Sequence, residues 1–359
     1  MSLRVLLVSP LPPPYGGISH WTGMIEKHSK LQGNLELKVL DISPRWRSVY
    51  DYAVWKRALG GGIQLVRDVF RFLHLLYRFR PDVVHITTPG QMALVRDVFI
   101  LLVARVVGVR SVYHIRFGRV PVLLARDAGL EAKLFKFAAR LAGVVVSIDK
   151  KTFDAVSSLS RVRRSLLIPN CYDPAVLPVV NVELKQVVFI GWVIPTKGIE
   201  ELLDAWSSLR REGWTLLVVG PGDPDYVNSL ALRSDDSVKF LGGMSHPKAM
   251  EVLASASMLV LPSHTEGFPN VVLEGMALGK AVVATSVGAI PEMLASECGT
   301  LVPVKDRQNL AAAIGELILN DAKRKSLGAA ALCRAREEFS LDKVFSSYHS
   351  VWADRKLDV

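Results

Sequence analysis

The chain has 359 residues, half of them hydrophobic; it is long enough for two domains with separate cores, and its composition excludes an intrinsically disordered protein. Its three cysteines, Cys171, Cys298 and Cys333, stand far apart, which argues against a zinc site or a disulfide framework. The net charge of +10 is uneven: residues 1–172 carry 26 Lys and Arg against 11 Asp and Glu (+15), and the remainder carries 18 against 23 (−5). This asymmetry indicates an anionic partner for the first half, such as a membrane surface, a phosphorylated lipid, an acidic glycan or nucleic acid.

In the first half, short β-branched runs alternate with longer helical patterns, which predicts βαβ units and a parallel sheet. The predicted helices include 62–79 and 130–143. The first apolar run is followed by prolines, so it fits a buried strand better than the core of a signal peptide. No apolar run reaches about 18 residues, so no bilayer-spanning segment is expected. The predicted strands are 4–8, 35–40, 82–86, 110–114, 143–147 and 165–168.

The alternation begins again after 169–183, a segment rich in Pro and Asn that is typical of an interdomain linker. Two doubly wound sheets place a ligand in a crevice at the carboxyl ends of their strands. We predict a first domain at 1–172, a second domain at 173–339, and a C-terminal helix within 340–359 that packs back on the first domain. The strands predicted in the second domain are 186–190, 215–219, 258–261, 281–284 and 300–302.

Residues 187–198, VVFIGWVIPTKG, contain a strand, a glycine turn and a Lys-Gly pair before a helix. Gly191 allows close approach of a ligand, and Lys197 can place an ammonium near a phosphate. The same unit also occurs as plain structure in every doubly wound fold, so alone it leaves both interpretations open. There is no GxGxxG fingerprint and no Walker A motif, which disfavours a nicotinamide enzyme or an NTPase.

The stretch EGFPNVVLE carries two glutamates eight positions apart, Glu266 in a loop and Glu274 one turn inside a helix. Pro269 suits the first turn of that helix, and the N–H groups of Asn270 and Val271 offer an anion site. Carboxylates accept hydrogen bonds from hydroxyls, so one glutamate can bind a ribose and the other a sugar. The competing interpretation is stabilisation of the helix dipole, which the intervening Gly-Phe-Pro-Asn disfavours.

The segment EGFPNVVLEGMALGKAVVATSVGAIPE resembles the E-x7-E signature region of the retaining GT-B glycosyltransferases of family 4, also called group 1. Further matches follow in order along nearly the whole chain: PPPYGG at 12–17, DVVHI, SVYHIRFG, LIPNCYDP, FIGWVIPTKGIEELLDAW, LLVVGPGD, VKFLGG and GTLVPVKDRQNLAAAI. The resemblance implies an α/β fold of the GT-B type, with two Rossmann-like doubly wound domains facing each other across a cleft. It also implies a hexosyltransferase (EC 2.4) that transfers a sugar from a nucleotide diphosphate with retention.

The resemblance implies roles for single residues. Glu274 would bind the nucleotide ribose, Glu266 the hydroxyls of the donor sugar, and Lys197 the diphosphate. His114 occupies the position of the family's first-domain histidine near the transferred sugar; a buried core histidine is the competing interpretation, and His85 has a weaker claim. The implied catalytic residues are His114, Glu266 and Lys197, and the implied nucleotide-sugar site comprises Gly16, Gly17, Gly191, Lys197, Gly220, Glu266, Gly267, Phe268, Pro269, Asn270, Val271 and Glu274.

Trp192 departs from the family pattern, which has arginine directly after the glycine of this loop. A charge-assisted contact to phosphate contributes about 1.5–3 kcal/mol, so its loss should weaken donor binding unless Arg116 or Arg119 substitutes. Alternatively, Trp192 stacks on a ligand and marks a subfamily. The family typically works without a bound metal, so no metal and no cofactor other than the UDP- or GDP-linked donor is expected, and the Asp-Pro-Asp at 223–225 is interpreted as turn chemistry.

The basic first domain indicates the kind of acceptor. Its basic amphipathic stretches, at 66–79 and 116–143, can lie on anionic lipid or can be helices with a solvated cationic face. We expect a lipid-linked sugar or an anionic cell-envelope glycan as acceptor, and a cytoplasmic enzyme peripheral to the inner face of the membrane. Two other functions stay open: a nucleotide-sugar 2-epimerase, and a non-catalytic basic protein that binds lipid or nucleic acid. No aromatic-basic RNA signature is present, so nucleic acid is not the expected partner.

Overall fold

The computed structural model describes residues 2–13, 16–43, 54–126, 129–180, 183–209 and 212–354, and within α-helical residues 54–59 it describes the backbone alone. Parts of the predicted glycine loop at 12–17, of the linker and of the C-terminal helix lie outside these ranges. The chain divides into two compact units, one formed by Met1–Pro169 with Phe345–Val359 and one formed by Asn170–Val344. The sequence places the first boundary three residues later, after residue 172.

The first unit contains a six-stranded sheet in which all neighbouring strands are parallel. The strands are β1 (Leu3–Ser9), β2 (Leu35–Asp41), β3 (Val83–Thr88), β4 (Arg110–Ile115), β5 (Val144–Ser147) and β6 (Ser165–Leu167). Their spatial order is β2-β1-β3-β4-β5-β6. Every residue of β3 and β5 is buried, as expected for a parallel sheet with helices on both faces.

The helices of the first unit are α1 (Gly17–Ser29), α2 (Val54–Phe79), α3 (Ala93–Val106), α4 (Val120–Ala125), α5 (Leu130–Leu141) and α6 (Lys150–Ser157). Crossovers between parallel strands are right-handed. The connection from β1 to β2 runs in one direction along the sheet, and the connections from β2 towards β6 run in the other. Therefore α1 covers one face, whereas α2, α3 and α5 lie side by side on the opposite face, with α3 packed on both neighbours.

The second unit has its own six-stranded parallel sheet, in the order β12-β11-β10-β7-β8-β9. The strands are β7 (Leu184–Ile190), β8 (Thr215–Val219), β9 (Val238–Gly242), β10 (Ala256–Leu261), β11 (Ala281–Thr285) and β12 (Thr300–Val302). The strand order reverses between β7 and β10. In doubly wound folds ligands bind at this switch point, outside the carboxyl ends of the strands. The loops after β7 and β10 are therefore the expected place for a site.

The helices that follow are α7 (Ile199–Ser207), α8 (Pro224–Leu232), α9 (His246–Ser255), α10 (Asn270–Ala277), α11 (Ile290–Met293), α12 (Arg307–Leu319), α13 (Asp321–Glu338) and α14 (Leu341–Ala353). Helix α14 begins in the second unit and belongs to the first unit from Phe345 onwards. Each unit has a hydrophobic core of its own, built around Phe72 and Phe135 in the first and around Phe189 and Trp206 in the second.

The eleven strands predicted from the sequence are all found, with ends within two residues of the prediction. Strand β9 was missed. It pairs with β8 at the edge of its sheet, and most of its residues are exposed or half-buried, with Lys239 in its middle. An edge strand of this kind lacks the continuous apolar run that marks buried parallel strands.

Helix α2 spans 26 residues and begins eight residues before the predicted start at 62. It is the longest helix in the part of the chain that the structure describes. Within that part, no helix combines the length and the apolar character needed to cross a bilayer.

Candidate functional site

The loops that follow β7 and β10 lie next to each other at the switch point of the second sheet. Strand β7 leads into a 3₁₀ turn at Pro195–Lys197, and β10 leads into the loop that holds Glu266. The N–H of His264 donates to the carbonyl oxygen of Thr196 at 2.9 Å. Since β7 and β10 are parallel neighbours, their carboxyl ends meet at one edge, which brings these distant parts of the sequence together.

Gly198 allows the closest approach between these loops. Its φ is +71°, and a Cβ at this position would lie 2.1 Å from the carbonyl oxygen of Pro262. Both the left-handed backbone and the backbone contact require glycine here. Gly198 also precedes α7, so it fixes the direction in which the loop leaves the site.

The structure brings two of the predicted catalytic residues into contact. The Nζ of Lys197 lies 2.5 Å from Oε1 of Glu266, and the Oγ of Ser263 donates to the same oxygen at 2.7 Å. Ser263 is fully buried, and its carbonyl oxygen accepts a hydrogen bond from the hydroxyl of Thr285. The Glu266 carboxylate is therefore held in place by a cation and a fixed hydroxyl. An ammonium has three donors, and this contact uses one of them.

The segment between Glu266 and α10 is held on both sides. The carbonyl oxygen of Gly267 accepts from the N–H of Ala289 at 2.8 Å. The ring of Phe268 packs edge-to-face on Phe339, with 6.0 Å between ring centroids. These contacts fix the backbone that leads into the helix.

Pro269 is the N-cap of α10, and no side chain caps this end of the helix. The N–H groups of Asn270 and Val271 lie in the first turn, where an α-helix offers them no acceptor of its own. The Asn270 side chain accepts a hydrogen bond from Nδ2 of Asn170 at 3.0 Å. The positive end of the helix dipole and two N–H groups therefore lie four or five residues after Glu266.

Glu274 is almost fully buried within α10, and its Oε1 lies 2.7 Å from Nε2 of His246. The hydrogen bond to Glu274 raises the pKa of His246 above its usual value, although partial burial opposes this. A His whose folded pKa is raised contributes stability below the unfolded pKa, and this contribution is lost as the pH rises through the folded pKa. The charged form of His246 is thus favoured by its contact with Glu274.

Gly220 and Gly191 pack backbone on backbone. Gly220 has φ +143°, and a Cβ there would lie 1.8 Å from the carbonyl oxygen of Gly191. The N–H of Gly191 donates to Val219 at 2.9 Å. The two predicted glycines therefore form one tight crossing at the carboxyl ends of β7 and β8.

A depression of about 400 Å³ opens beside this crossing. It lies at the carboxyl ends of β7, β8 and β9, and its walls include Val193, Gly220, Pro221, Phe240 and Gly243. Its volume falls within the range of small-molecule sites. Apolar side chains and bare glycine backbone suit a flat ring better than a charged group.

Trp192, the departure from the family pattern, is two-fifths exposed next to Gly191. Of the two arginines predicted as substitutes, Arg119 forms an ion pair with Glu131. Arg116 lies with its guanidinium 4.7 Å from the ring centroid of Trp21. The compensation for the missing arginine stays a prediction.

His114 lies at the end of β4 and is fully buried in the first unit. Its Nδ1 lies 3.2 Å from Nε2 of His85, and its Nε2 lies 3.3 Å from the hydroxyl of Tyr348 in α14. The His85 Nδ1 in turn accepts from the indole N–H of Trp352, also in α14, at 3.0 Å. Two histidines and two aromatic residues form one chain of hydrogen bonds.

The indole fixes the tautomers along this chain, because Trp can only donate. His85 must accept at Nδ1, so as a neutral ring it carries its proton at Nε2 and donates to His114. His114 then carries its own proton at Nε2 and donates to Tyr348, so Nη1 of Arg116, which lies 3.5 Å from the same nitrogen and can only donate, finds no lone pair there. Burial lowers the pKa of His85 from 6.5 to about 3 and that of His114 well below its usual value, with the charge of Arg116 acting in the same direction. Both rings are therefore neutral at physiological pH.

This burial agrees with the competing interpretation of His114 as a core histidine, and in this arrangement no nitrogen of its ring is exposed. Its catalytic role stays a prediction. Gly16 and Gly17 stand at the start of α1, where the N–H of Gly16 donates to the hydroxyl of Ser19 at 3.0 Å. Two residues of the same predicted loop, 14 and 15, lie outside the described residues.

Asp223, from the Asp-Pro-Asp that could suggest a metal site, is the N-cap of α8. Its side chain accepts from the N–H of Tyr226 at 3.1 Å. Pro224 occupies the first turn of the helix. The motif is thus used to begin a helix.

Sequence reasoning missed the partners of the predicted residues. Ser263 could have been identified from the sequence, because it lies just past the end of a predicted strand. Tyr348 and Trp352 could also have been identified from the sequence. Their spacing of four residues places two aromatic side chains, each with a polar atom, on one helix face. For His246 and Asn170 nothing in the local sequence indicates a partner, and only the fold brings them to Glu274 and Asn270.

Residues 184–320 match the family model described as glycosyl transferases group 1. Over 151 residues the chain is 34% identical to a phosphatidyl-myo-inositol mannosyltransferase of Mycobacterium leprae, which covers 41% of this chain and 40% of that protein. The first curated relatives are matched over less than half of their own length. The sequence similarity is therefore concentrated in one part of each protein.

Solved structures match over almost the whole chain. A sucrose-phosphate synthase from Thermosynechococcus elongatus superimposes with a TM-score of 0.76 at 19% identity, covering 98% of each chain. HepE from Anabaena, solved in complex with UDP and glucose, gives a TM-score of 0.73 at 19% identity, covering 97% of this chain and 99% of its own. At this level of identity the likeness shows the fold alone.

Proposed function

Because residues 184–320 match the model of the group 1 glycosyl transferases and the chain has the GT-B fold predicted from its sequence, we propose that it is a retaining glycosyltransferase of family 4. It would move a hexose from a nucleotide diphosphate to an acceptor hydroxyl. The observation that carries this proposal is the contact between Lys197 and Glu266 at the switch point of the second sheet, directly before the N-terminus of α10. A cation, a carboxylate and free helix N–H groups together suit a phosphorylated sugar.

Each part of the site has a role in donor binding. Glu274, held in place by His246, accepts from the ribose hydroxyls. The depression beside Gly220 takes the flat base. Lys197 and the N–H groups of Asn270 and Val271 bind the diphosphate, and Glu266 accepts from hydroxyls of the sugar.

The reaction breaks the bond between the anomeric carbon and the diphosphate oxygen. Positive charge develops on the anomeric carbon and negative charge on the leaving diphosphate. Lys197 and the start of α10 stabilise the negative charge, because they are already oriented before the reaction. The acceptor oxygen bonds to the same face of the anomeric carbon, and its proton passes to the leaving phosphate. Configuration is retained, and no general-base carboxylate is needed.

The donor is a UDP- or GDP-linked sugar, and transfer needs no metal. Lys197 and the N-terminus of α10 supply the positive charge that the diphosphate requires. In support, HepE is a structure with UDP and glucose, and the Mycobacterium leprae relative is named as a mannosyltransferase.

The acceptor is membrane-associated or anionic, as in the synthesis of cell-envelope polysaccharides, and the enzyme works at the cytoplasmic face of the membrane. The net charge of +15 in residues 1–172 supports this assignment. So does the name of the Mycobacterium leprae relative, a phosphatidyl-myo-inositol mannosyltransferase.

The donor assignment is tested by calorimetry with a panel of UDP- and GDP-sugars. We expect one nucleotide series to bind, and the Glu274→Gln variant to bind it about 10- to 100-fold more weakly, because a buried acceptor for the ribose is weakened. Glu251→Gln, an exposed glutamate on α9, is the matched control and should bind as the wild type does. Equal affinity in all three proteins would show that the ribose site is wrongly assigned.

The reaction class is tested by incubating the bound donor with and without membrane extracts as acceptor. Transfer to lipid-soluble product that keeps the anomeric configuration supports the proposal. An epimerised free nucleotide sugar formed without acceptor would instead indicate a 2-epimerase. Salt-sensitive binding to nucleic acid, with no nucleotide-sugar binding, would indicate the non-catalytic alternative.

A further inference from the structure

Helix α2 is apolar on two opposite sides. Phe72 and Phe79 are buried against the sheet. On the other side a row of large apolar side chains is exposed, with exposed fractions from 38% to 75%. Residues three and four apart lie on one face of a helix, and this row extends for about 21 Å. Its members are Ile63, Val66, Phe70, Leu73 and Tyr77.

The neighbouring helix α3 repeats this pattern with the same spacing. Its row has exposed fractions from 37% to 82% and also lies opposite the buried residues Leu101 and Leu94. Helix α5 adds Leu130 and Phe137, seven residues apart. The row on α3 consists of the N-cap residue Met92 and of Val95, Phe99, Leu102 and Val106.

These rows belong to one layer. Helices α2, α3 and α5 lie side by side on the same face of the first sheet, with α3 packed on both neighbours. In each helix the apolar row points away from the buried side. The outer surface of the layer is therefore a broad apolar face, much more than the single exposed side chains that are normal for a soluble protein.

The charged residues of the layer have one sign at the surface. Among the described residues of the three helices the acids are Asp68, Asp97 and Glu131; the first two are buried beside Arg67 and Arg96, and Glu131 pairs with Arg119. The other basic residues are exposed or half-buried: Arg71, Arg78, Arg105, Lys133, Lys136 and Arg140.

We propose that the outer face of α2, α3 and α5 docks on an anionic phospholipid bilayer, with the apolar rows in the headgroup region and the basic side chains at the lipid phosphates. Apolar rows flanked by Lys and Arg are the pattern of helices that lie in the plane of the membrane surface. A second copy of the chain fits less well, because a symmetric contact would place like charges opposite each other. This inference rests on exposure and charge, and it names the surface for the membrane association proposed above.

The test is flotation with vesicles of phosphatidylcholine, with and without phosphatidylglycerol. The wild type should bind the vesicles that contain phosphatidylglycerol and release them as salt rises. The double variant Phe70→Ser/Val106→Ser should bind about tenfold more weakly or worse, since two exposed apolar anchors are lost. Leu232→Ser/Leu319→Ser, which removes equally exposed leucines from the second unit, is the matched control and should bind normally.

A charge variant separates the two contributions. Arg78→Glu/Lys133→Glu should weaken binding to anionic vesicles, whereas Lys248→Glu on α9 should not. Equal binding of the wild type to both kinds of vesicle, or no binding to either, would overturn the proposal. So would a concentration-dependent dimer in ultracentrifugation that Phe70→Ser abolishes, because the face would then belong to a second copy.

The fold and the donor site are checked in the same variants. The thermal unfolding and the donor binding of Phe70→Ser/Val106→Ser and of Arg78→Glu/Lys133→Glu should match those of the wild type. All four substituted side chains are exposed on the helix layer of the first unit. Glu274→Gln should lose donor affinity and still bind vesicles. These measurements distinguish a wrong assignment of the membrane-binding surface from a wrong assignment of the transfer reaction.

Discussion

At the scale of single residues, the charged side chains of the proposed donor site are each held by a neighbour within the second unit. Glu266 contacts Lys197 and Ser263, and Glu274 contacts His246. These partners keep each carboxylate oriented, which is the geometric condition for binding hydroxyls selectively. They also mean that a substitution of one partner acts on the other.

Lys197→Met should lower kcat/KM for transfer by about 10- to 150-fold, because a charge-assisted contact to the diphosphate of about 1.5–3 kcal/mol is lost. The remaining Glu266 carboxylate would then repel the donor phosphates. We therefore expect Lys197→Met/Glu266→Gln to bind donor better than Lys197→Met alone, in a double-mutant cycle measured by calorimetry. If the effects of the two substitutions on donor affinity are strictly additive, Lys197 and Glu266 are not coupled in donor binding. Lys248→Met is the matched control on an exposed lysine of the same unit.

The hydrogen-bond chain of the first unit makes a prediction that is independent of catalysis. Since Trp352 can only donate, His85 and His114 should both carry their proton at Nε2, which nitrogen-15 NMR of labelled histidine detects directly. In Trp352→Phe the His85 ring loses this constraint, so we expect mixed tautomers at both histidines and a loss of about 1–3 kcal/mol of stability from the unpaired buried nitrogen. An unchanged Nε2–H pattern in the variant would contradict the assigned direction of the chain.

The depressed pKa of His85 predicts a pH dependence of stability. The folded protein takes up this proton only near pH 3, whereas the unfolded chain takes it up near 6.5. Unfolding therefore binds a proton between these values, and the contribution to stability is lost as pH falls below 6.5. The free energy of unfolding should fall about 1.4 kcal/mol per pH unit more steeply in the wild type than in His85→Gln between pH 6 and 4. Denaturant titrations measure this slope, and the exposed His74→Gln variant should keep it.

At the scale of elements, two short loops form most of the proposed donor site, and the glycines in them decide how closely the loops approach each other. The N–H of His264 joins the loop after β10 to the loop after β7, and Gly198 leaves no room for a side chain between them. The strand order places both loops at one switch point. Parallel pairing thus converts a separation of 69 residues between Lys197 and Glu266 into a direct contact.

Gly198→Ala and Gly213→Ala test this approach as a matched pair. Both glycines have nearly the same φ, +71° and +74°, but a Cβ at Gly198 would lie 2.1 Å from a carbonyl oxygen, whereas at Gly213 the nearest atom is 4.0 Å away. Gly213→Ala should lower stability by about 1–2 kcal/mol from backbone strain alone. Gly198→Ala should lose more than this and also weaken donor binding, as measured by thermal unfolding and calorimetry. Equal losses in both would show that the loops can separate freely.

At the scale of the whole molecule, the two units differ in chemistry. Residues 1–172 carry a net charge of +15 and the rest a net charge of −5. The first unit exposes apolar and basic rows on its helical layer, whereas the second unit holds the residues proposed to bind the donor. This division matches a protein that binds a soluble anionic donor with one unit and meets a membrane-associated acceptor with the other.

Hydrogen exchange with and without the donor nucleotide tests this division. Binding should slow exchange in the loops 191–198 and 263–271 of the second unit, because a ligand protects the backbone it contacts. Helices α2 and α3 should keep their exchange rates with donor and become protected with anionic vesicles. Donor protection confined to the first unit would contradict the proposed site.

The strands and the two repeated sheets could be predicted because they depend on local patterns. Continuous apolar runs mark buried parallel strands such as β10 and β11, and the E-x7-E spacing marks the start of α10. Strand β9 could not be predicted, because an exposed edge strand has no such run. The roles assigned to the site residues of both units, among them Gly16, Gly17 and His114 in the first and Lys197, Glu266 and Glu274 in the second, stay predictions.

What the sequence determined by itself is the fold class, the order of its elements and the charge asymmetry, all of which depend on residues close together along the chain. The tertiary structure alone decided which side chains meet: His246 beside Glu274, Trp352 beside His85, and Lys197 beside Glu266. It also decided that the row from Ile63 to Tyr77 lies outside, since an apolar helix face has the same sequence pattern whether a sheet or solvent covers it. The physical reason is that burial and hydrogen bonding depend on residues brought together by strand order, and strand order is a property of the whole sheet.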